Sequence, residues 1–331
     1  MPGISITDQY DALLTTTLKN YRRKMVDQIF EMMNFLNWLR KGDRVRKVDG
    51  GESIIEHLMY GKNDTVKFYS GYENLLTTPQ EGMTVAKYDW KEIGGTISIS
   101  RKEQRQNSGK ARLLNLLEQK TKQTEMSVRD EVSSKIFADI ASEPSKDITG
   151  LFLHANDNPS STTVGGINGS TYAWWRNGAD DVGAYATNLL DKLRTAFNTV
   201  AKAGQGPADF VVCTQTAHEY YEALGDTLKR FPLIRSEKQT IELGFEIFKY
   251  KGADLFWDPD MLTGVPATGE TMVLGKSSAL SLVIDKQSDF ITTDFIEPEN
   301  QTAKVAKVVA MLNLTNNNRR CLHLLHGIDA S

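Results

Sequence analysis

The pattern of hydrophobic and polar positions changes texture along the chain, and each texture predicts a different kind of element. From Ile4 to Lys41 there is neither glycine nor proline, and apolar side chains recur at helical spacing through Leu14, Leu18, Tyr21, Met25, Ile29, Met32 or Met33, Leu36 and Leu39. The spacing predicts one long helix or two, closed by Gly42. Phe30, Phe35 and Trp38 widen the apolar stripe beyond what a terminal arm leaves in water, so the arm packs on something, in its own chain or in a neighbour.

Between Asp49 and Ser100 the pattern shifts to extended pieces broken by turn residues, ending in GGTISIS with Ile97 and Ile99 alternating against Thr96, Ser98 and Ser100. This predicts a long, largely polar β-excursion with too few paired apolar positions for a core of its own. A glycine- and proline-free run between Gly109 and Pro144 then predicts a single helix of roughly 50 Å, longer than a compact domain is wide. Its apolar positions gather at the two ends (Leu113, Leu114, Leu116, Leu117; Val132, Ile136, Phe137, Ile140) around a polar middle, EQKTKQT, as in a strut between two packing centres.

After a loop-rich stretch, Asn188 to Lys202 predicts an amphipathic helix, ADFVVCT from Ala208 a buried strand, and AHEYYEALGD from Ala217 another helix. Further strands are expected in IFKYKGADLFWD, ETMVLG, ALSLVID, DFITTDFI and AKVAKVVAMLNLT. The class is α+β, with its strands mostly late, and no internal repeat.

Composition narrows the function. With 331 residues, 40% of them hydrophobic and 24% charged, the chain builds a core, and 39 basic against 42 acidic side chains give it no net positive field for nucleic acid or an anionic membrane. Two cysteines, Cys213 and Cys321, make no disulfide framework, and no secretory leader pattern opens the chain, which points to a reducing cytosol. The most apolar runs, such as Val305 to Leu314, are too short and too polar to cross a bilayer.

Candidate chemistry is thin. GETMVLGKSS (Gly269 to Ser278) has five residues between its glycines where a P-loop needs four, and a strand follows it, so it reads as a hairpin turn. His218 and Glu222 stand four apart on a predicted helix, as a surface pair rather than a zinc motif. Cys321, His323 and His326 lie on a predicted half-buried terminal strand, which points the two histidines to opposite faces. No catalytic residue, metal site or cofactor site is therefore assigned, and a metal-dependent hydrolase built on His218 or on Cys321–His326 stands only as a rival. The basic clusters YRRK and RKGDRVRK lack aromatic platforms for bases and read as solvated faces.

The segment TVGGINGSTYAWWRN, Thr163 to Asn177, resembles a signature of tailed-bacteriophage major capsid proteins. From the residues alone, Gly165 and Gly166 permit a tight, close-packed bend, and Tyr172, Trp174 and Trp175 are large amphipathic anchors. The order of parts over nearly the whole chain resembles the Hong Kong 97-like capsid fold, and GGESIIEHLMYGKNDTVKFYSGYENL and YDWKEIGGTISISRKEQRQNSG resemble that family around its extended E-loop.

The resemblance implies an N-terminal arm over residues 1–48, an E-loop with flanking P-domain strands over 49–100 and a P-domain spine helix over 101–147. It then implies a mainly A-domain block over 148–289 and returning P-domain strands with the C-terminus over 290–331. It further implies a structural, non-enzymatic protein that assembles with itself through hexamers and pentamers into an icosahedral head around double-stranded DNA, built in the host bacterial cytoplasm. A scaffolding protein, a portal and decoration proteins would be its partners. Some relatives cross-link an E-loop lysine to a neighbour's asparagine, which makes Lys62 and Lys67 candidates here, with Asn316 to Asn318 as acceptors. An encapsulin-type compartment keeps the fold and changes the contents.

Overall fold

A computed structural model describes residues 34–106, 110–138, 146–228, 248–299 and 302–330. In chain order the first part comprises helix α1 (Asn34–Lys41), strands β1 (Val45–Val48), β2 (Ile54–Met59), β3 (Met83–Tyr88) and β4 (Lys91–Ser100), and helices α2 (Arg101–Gln106) and α3 (Lys110–Ile136). Next come α4 (Leu151–His154), β5 (Thr163–Val164), β6 (Ile167–Asn168), a 3-10 turn (Ala173–Trp175), β7 (Gly178–Ala184), α5 (Tyr185–Gly204), β8 (Phe210–Cys213) and α6 (Gln215–Leu228). The last strands are β9 (Phe248–Tyr250), β10 (Ala253–Trp257), β11 (Glu270–Gly275), β12 (Leu280–Asp285), β13 (Ile291–Thr292), β14 (Ala303–Asn316) and β15 (Leu322–Asp329).

Two sheets carry the molecule. In the first, β14 is the central ribbon: β4 runs antiparallel along residues 303–312, while β12 and β13 pair with its other edge and β1 adds parallel to β12. The second has the order β7-β15-β11-β8-β10-β9. Inward faces of both sheets share one core, in which Phe210, Val212, Leu322 and Leu324 meet Leu280, Leu282, Leu312 and Leu314. The other face of the second sheet is covered by α5 and α6. Leu189, Leu193, Ala196, Phe197 and Val200 form the buried stripe of α5, at the spacing an amphipathic helix requires.

Helix α1 settles where the described end of the arm packs: on its own chain. Phe35, Leu36, Trp38 and Leu39 enter the shared core. Asp258 Oδ2 accepts the Phe35 backbone N–H at 3.1 Å, Asn34 Nδ2 donates to the Trp257 carbonyl at 2.9 Å, and Trp38 Nε1 donates to Asp254 Oδ2 at 3.2 Å. The predicted helix from Ile4 to residue 33 lies outside the described residues.

The strut exists, with a correction. At 27 residues α3 is about 40 Å long, and Val128, Val132 and Ile136 bury one stripe at four-residue spacing. Its polar middle does not stand free between two centres, because Thr121 is buried and Lys120 Nζ donates to the Ser98 carbonyl at 2.7 Å on β4. Close approach depends on Gly95, where an added Cβ would lie 2.6 Å from Thr124 Cγ2.

Two further readings are corrected by sheet membership. Strands β11 and β12 belong to different sheets, so GETMVLGKSS is strand β11 followed by the start of a crossover, not a hairpin turn. Lys276 anchors it, its backbone N–H donating to Cys321 O at 3.2 Å and its Nζ to Gly204 O at 2.7 Å at the end of α5. Strand β15 is not a half-buried terminal strand but an inner strand of the second sheet, buried along almost its whole length. Chain order and sheet membership thus part company: β12 joins the first sheet ahead of residue 290, and β15 returns to the second after it.

Candidate assembly surface

The residues of the Thr163 to Asn177 segment form a compact knot at the root of the β2–β3 hairpin. Strands β5 and β6 are joined by Gly165 and Gly166 at φ +61° and +75°, the pair of left-handed conformations a two-residue hairpin demands. Gly165 is also sterically required, since a Cβ there would stand 2.8 Å from Ala86 Cβ and 3.1 Å from the Tyr88 ring, whereas one on Gly166 would meet nothing. The Lys87 N–H donates to Gly165 O at 3.0 Å, fastening β3 to this turn.

Trp175 is buried among Ile54, Leu58, Tyr88, Leu153, Val164 and Ile167, and its indole N–H donates to Val164 O at 3.0 Å. Trp174 is half-buried: it meets Trp175 at 5.8 Å in a T-shaped contact and carries the Tyr60 ring at 5.0 Å with 16° between planes. Tyr172 is exposed, 6.0 Å from Trp174. Arg176 ties off the NGST turn, its Nε donating to Gly169 O at 2.6 Å and its Nη2 to Ser170 O at 3.1 Å.

Sequence reasoning missed the residue at the centre of this knot. Arg319 is fully buried and donates to His154 O, Trp175 O, Leu153 O, Thr162 Oγ1 and Asn177 Oδ1 at 3.0, 3.3, 3.1, 3.3 and 3.0 Å. A guanidinium has donors in a fixed fork, and here carbonyls, a hydroxyl and an amide take them in place of a carboxylate. Burial lowers its pKa to about 10, so it stays charged at neutral pH. Next to it, His154 is also fully buried, and burial, then the Arg319 charge, push its pKa down to about 3. The neutral ring donates through Nε2 to the Leu314 carbonyl at 3.1 Å. The only sequence signal for Arg319 was its place beside Arg320 in a basic pair that reads as surface.

Beyond this knot the chain between β2 and β3 runs out into solvent. Phe68 and Tyr72 are as exposed as in an extended chain, at 105% and 106%, and Val66, Tyr69, Leu75 and Leu76 are exposed too. Lys62 and Lys67 are on this loop; Lys67 Nζ lies 3.8 Å from Glu73 Oε2. Of the expected acceptor asparagines, Asn316 is buried, its Oδ1 accepting the Asn318 N–H at 2.6 Å, and only Asn317 is exposed.

The candidate catalytic groups are held apart. His218 is buried rather than on the surface, with Nδ1 3.6 Å from Glu222 Oε1 and its ring 5.0 Å from Phe248. His323 Nε2 lies 3.0 Å from Asp180 Oδ2 across the β7–β15 pair, three strand positions from His326. Among the described residues no group of three or more His, Cys, Asp or Glu side chains is placed to hold a metal ion, and no helix is long and apolar enough to cross a membrane.

No family model matches the chain, and no curated protein matches it in sequence. Its structure is similar to the capsid asymmetric unit of cyanophage A-1(L), with a TM-score of 0.62 at 13% identity, covering 87% of this chain and 91% of that one. It is also similar to the capsid of an empty GTA particle, with a TM-score of 0.57 at 13% identity over 87% and 89% of the two chains. A third likeness is to the holo-SrpI encapsulin complex from Synechococcus elongatus PCC 7942, with a TM-score of 0.54 at 11% identity over 88% of each chain. The chain has the Hong Kong 97-like α+β fold.

Proposed function

We propose that this chain is a major capsid protein, a structural and non-enzymatic subunit that assembles with itself through hexamers and pentamers into an icosahedral shell around double-stranded phage DNA. The observation that carries the reading is the 62–81 loop. It presents Phe68 and Tyr72 exposed, with no cover from the described residues, on a fold whose solved examples include phage capsids. A run of exposed aromatic and aliphatic side chains on a soluble protein calls for a partner surface. In a shell that partner is the next copy, and many modest contacts of this kind add up to a stable particle. A near-neutral chain, at a net charge of -3, encloses DNA without being titrated onto it.

In this reading the N-terminal residues are the arm, 49–100 the E-loop, 101–147 the spine, 148–289 mainly the A-domain and 290–331 the returning strands. A scaffolding protein, a portal and decoration proteins are the partners such a shell calls for, and the assembled virion is its destination. Deletion of residues 62–81 tests the reading, with Gly61 joined to Gly82 through a short turn; the Gly61 N–H already donates to Gly82 O at 3.3 Å, so the ends are close. The shortened chain is expected to fold with unchanged helix and strand content and to sediment as small species, whereas the intact chain sediments as particles. Particles of normal size from the deletion would overturn the role given to the loop.

The likeness to an encapsulin complex supports a second reading, a compartment shell with protein contents. Particles purified from the native host separate the two: nuclease-protected double-stranded DNA inside supports the capsid, and a stoichiometric protein cargo supports the compartment.

A further inference from the structure

The loop that carries the assembly contacts is attached to the body through a narrow neck, and the neck rests on one aromatic ring. At the neck the Tyr60 and Gly61 N–H groups both donate to Gly82 O, at 2.9 and 3.3 Å. Gly61 and Gly82 face each other so closely that a Cβ on either would stand 3.2 Å from the other's backbone. Beyond them, every hydrogen bond and ion pair made by residues 62–81 stays within the loop, among the described residues: Thr65 to Asn63, Val66 to Asn63, Glu73 to Ser70, Gln80 to Thr78 and Lys67 to Glu73. At the neck itself, Tyr60 stacks on Trp174 of the body, at 5.0 Å and 16°. Trp174 is backed by Trp175, whose indole is pinned to Val164 O.

We propose that Trp174 is a positioning residue for assembly: a fixed rest that sets the angle at which the loop leaves the body, and through it the curvature of the shell. The inference rests on the capsid reading above. Its mechanical basis is leverage, because ten extended residues reach about 33 Å, so a turn of about 10° at the neck moves the tip by about 6 Å, more than a van der Waals contact tolerates. Two facing glycines give the neck little stiffness of their own, and a planar stack, backed from behind, supplies the missing constraint. Tyr60 and Trp174 lie at the edge of the knot, so removing either ring leaves the Trp175 hydrogen bond to Val164 O and the Arg319 hydrogen bonds in place.

The test compares the full-length chain with Trp174→Ala, Trp174→Phe and Tyr60→Ala by electron microscopy of assembled particles and by thermal unfolding of the subunit. Expected are wild-type particles of one diameter. Trp174→Ala and Tyr60→Ala should stay folded, with midpoints lowered but still well above the assembly temperature, yet give particles spread over several diameters or drawn into tubes, and the double variant should be no worse than either single one. Trp174→Phe, which keeps a flat ring, should restore a single diameter. Uniform, wild-type-sized shells from both alanine variants would sink the inference and leave the capsid reading intact. A midpoint that falls to the assembly temperature as shells are lost would also sink it, by making the ring a stability element. A wild-type chain that makes no particles refutes the capsid reading itself, and the inference with it.

Discussion

Arg319 shows how a single side chain can organise a region without doing chemistry. It holds the carbonyls of 153, 154 and 175 and the side chains of Thr162 and Asn177. Arg319→Met removes a charge but strands these acceptors in a dry site, so a loss of about 3 kcal/mol or more in denaturant unfolding is expected. Arg320→Met, at an exposed neighbour, should change stability by less than about 0.5 kcal/mol. Gly165→Ala and Gly166→Ala form a second pair. Both pay about 1 kcal/mol for a left-handed alanine, and only Gly165→Ala adds a clash with Ala86 and Tyr88, so it should unfold at clearly lower denaturant.

His154 gives this knot a pH dependence whose sign follows from linkage. Its folded pKa is held at about 3 while the unfolded ring titrates near 6.5, so the unfolded chain takes up a proton that the folded one refuses. Stability is lost as pH falls from about 6.5 toward about 3. Asp258, raised by burial to about 6, works in the opposite direction between that value and 3.8, so the raw profile mixes the two. The expected result is a shallower acid loss for His154→Gln than for wild type in equilibrium unfolding, and parallel profiles would contradict the assignment.

Among the elements, those with a strong period were legible from the sequence. The amphipathic stripe of α5, the strands ETMVLG and ALSLVID and the alternation of Ile97 and Ile99 all stand where the pattern put them, because burial of one face leaves a direct trace in the residue order. What lay beyond reach was pairing. Nothing in GETMVLGKSS distinguishes a turn within a sheet from a crossover between sheets, and nothing in CLHLLHGID says that it lies between β7 and β11. The strut shows the same limit. Its polar middle reads as solvated, yet Gly95 opens a path for Thr124 and lets a polar helix face rest on a strand. Gly95→Val should therefore lever α3 away from β4 and cost about 1–3 kcal/mol in stability, an overpacking penalty that Gly94→Val avoids at its more open site.

At the scale of the whole molecule, the surfaces that looked unsatisfied in the sequence have separated into two groups. The described end of the N-terminal arm is satisfied within its own chain through Phe35, Trp38 and Asp258, and so is the root of the β-excursion through Trp175. The 62–81 loop keeps Val66, Phe68, Tyr69 and Tyr72 exposed, uncovered by the described residues. The Thr163 to Asn177 segment was recognisable as a pattern, but its reason was not: Arg319, Asn177 and His154 come from distant stretches, and only folding brings them together. Whether this chain assembles with itself, as proposed, is tested by imaging the purified full-length protein by electron microscopy. Closed shells built of six-fold and five-fold capsomers, or the capsomers themselves, are the predicted result. A monodisperse monomer under every condition of salt, concentration and co-expression would overturn the capsid proposal.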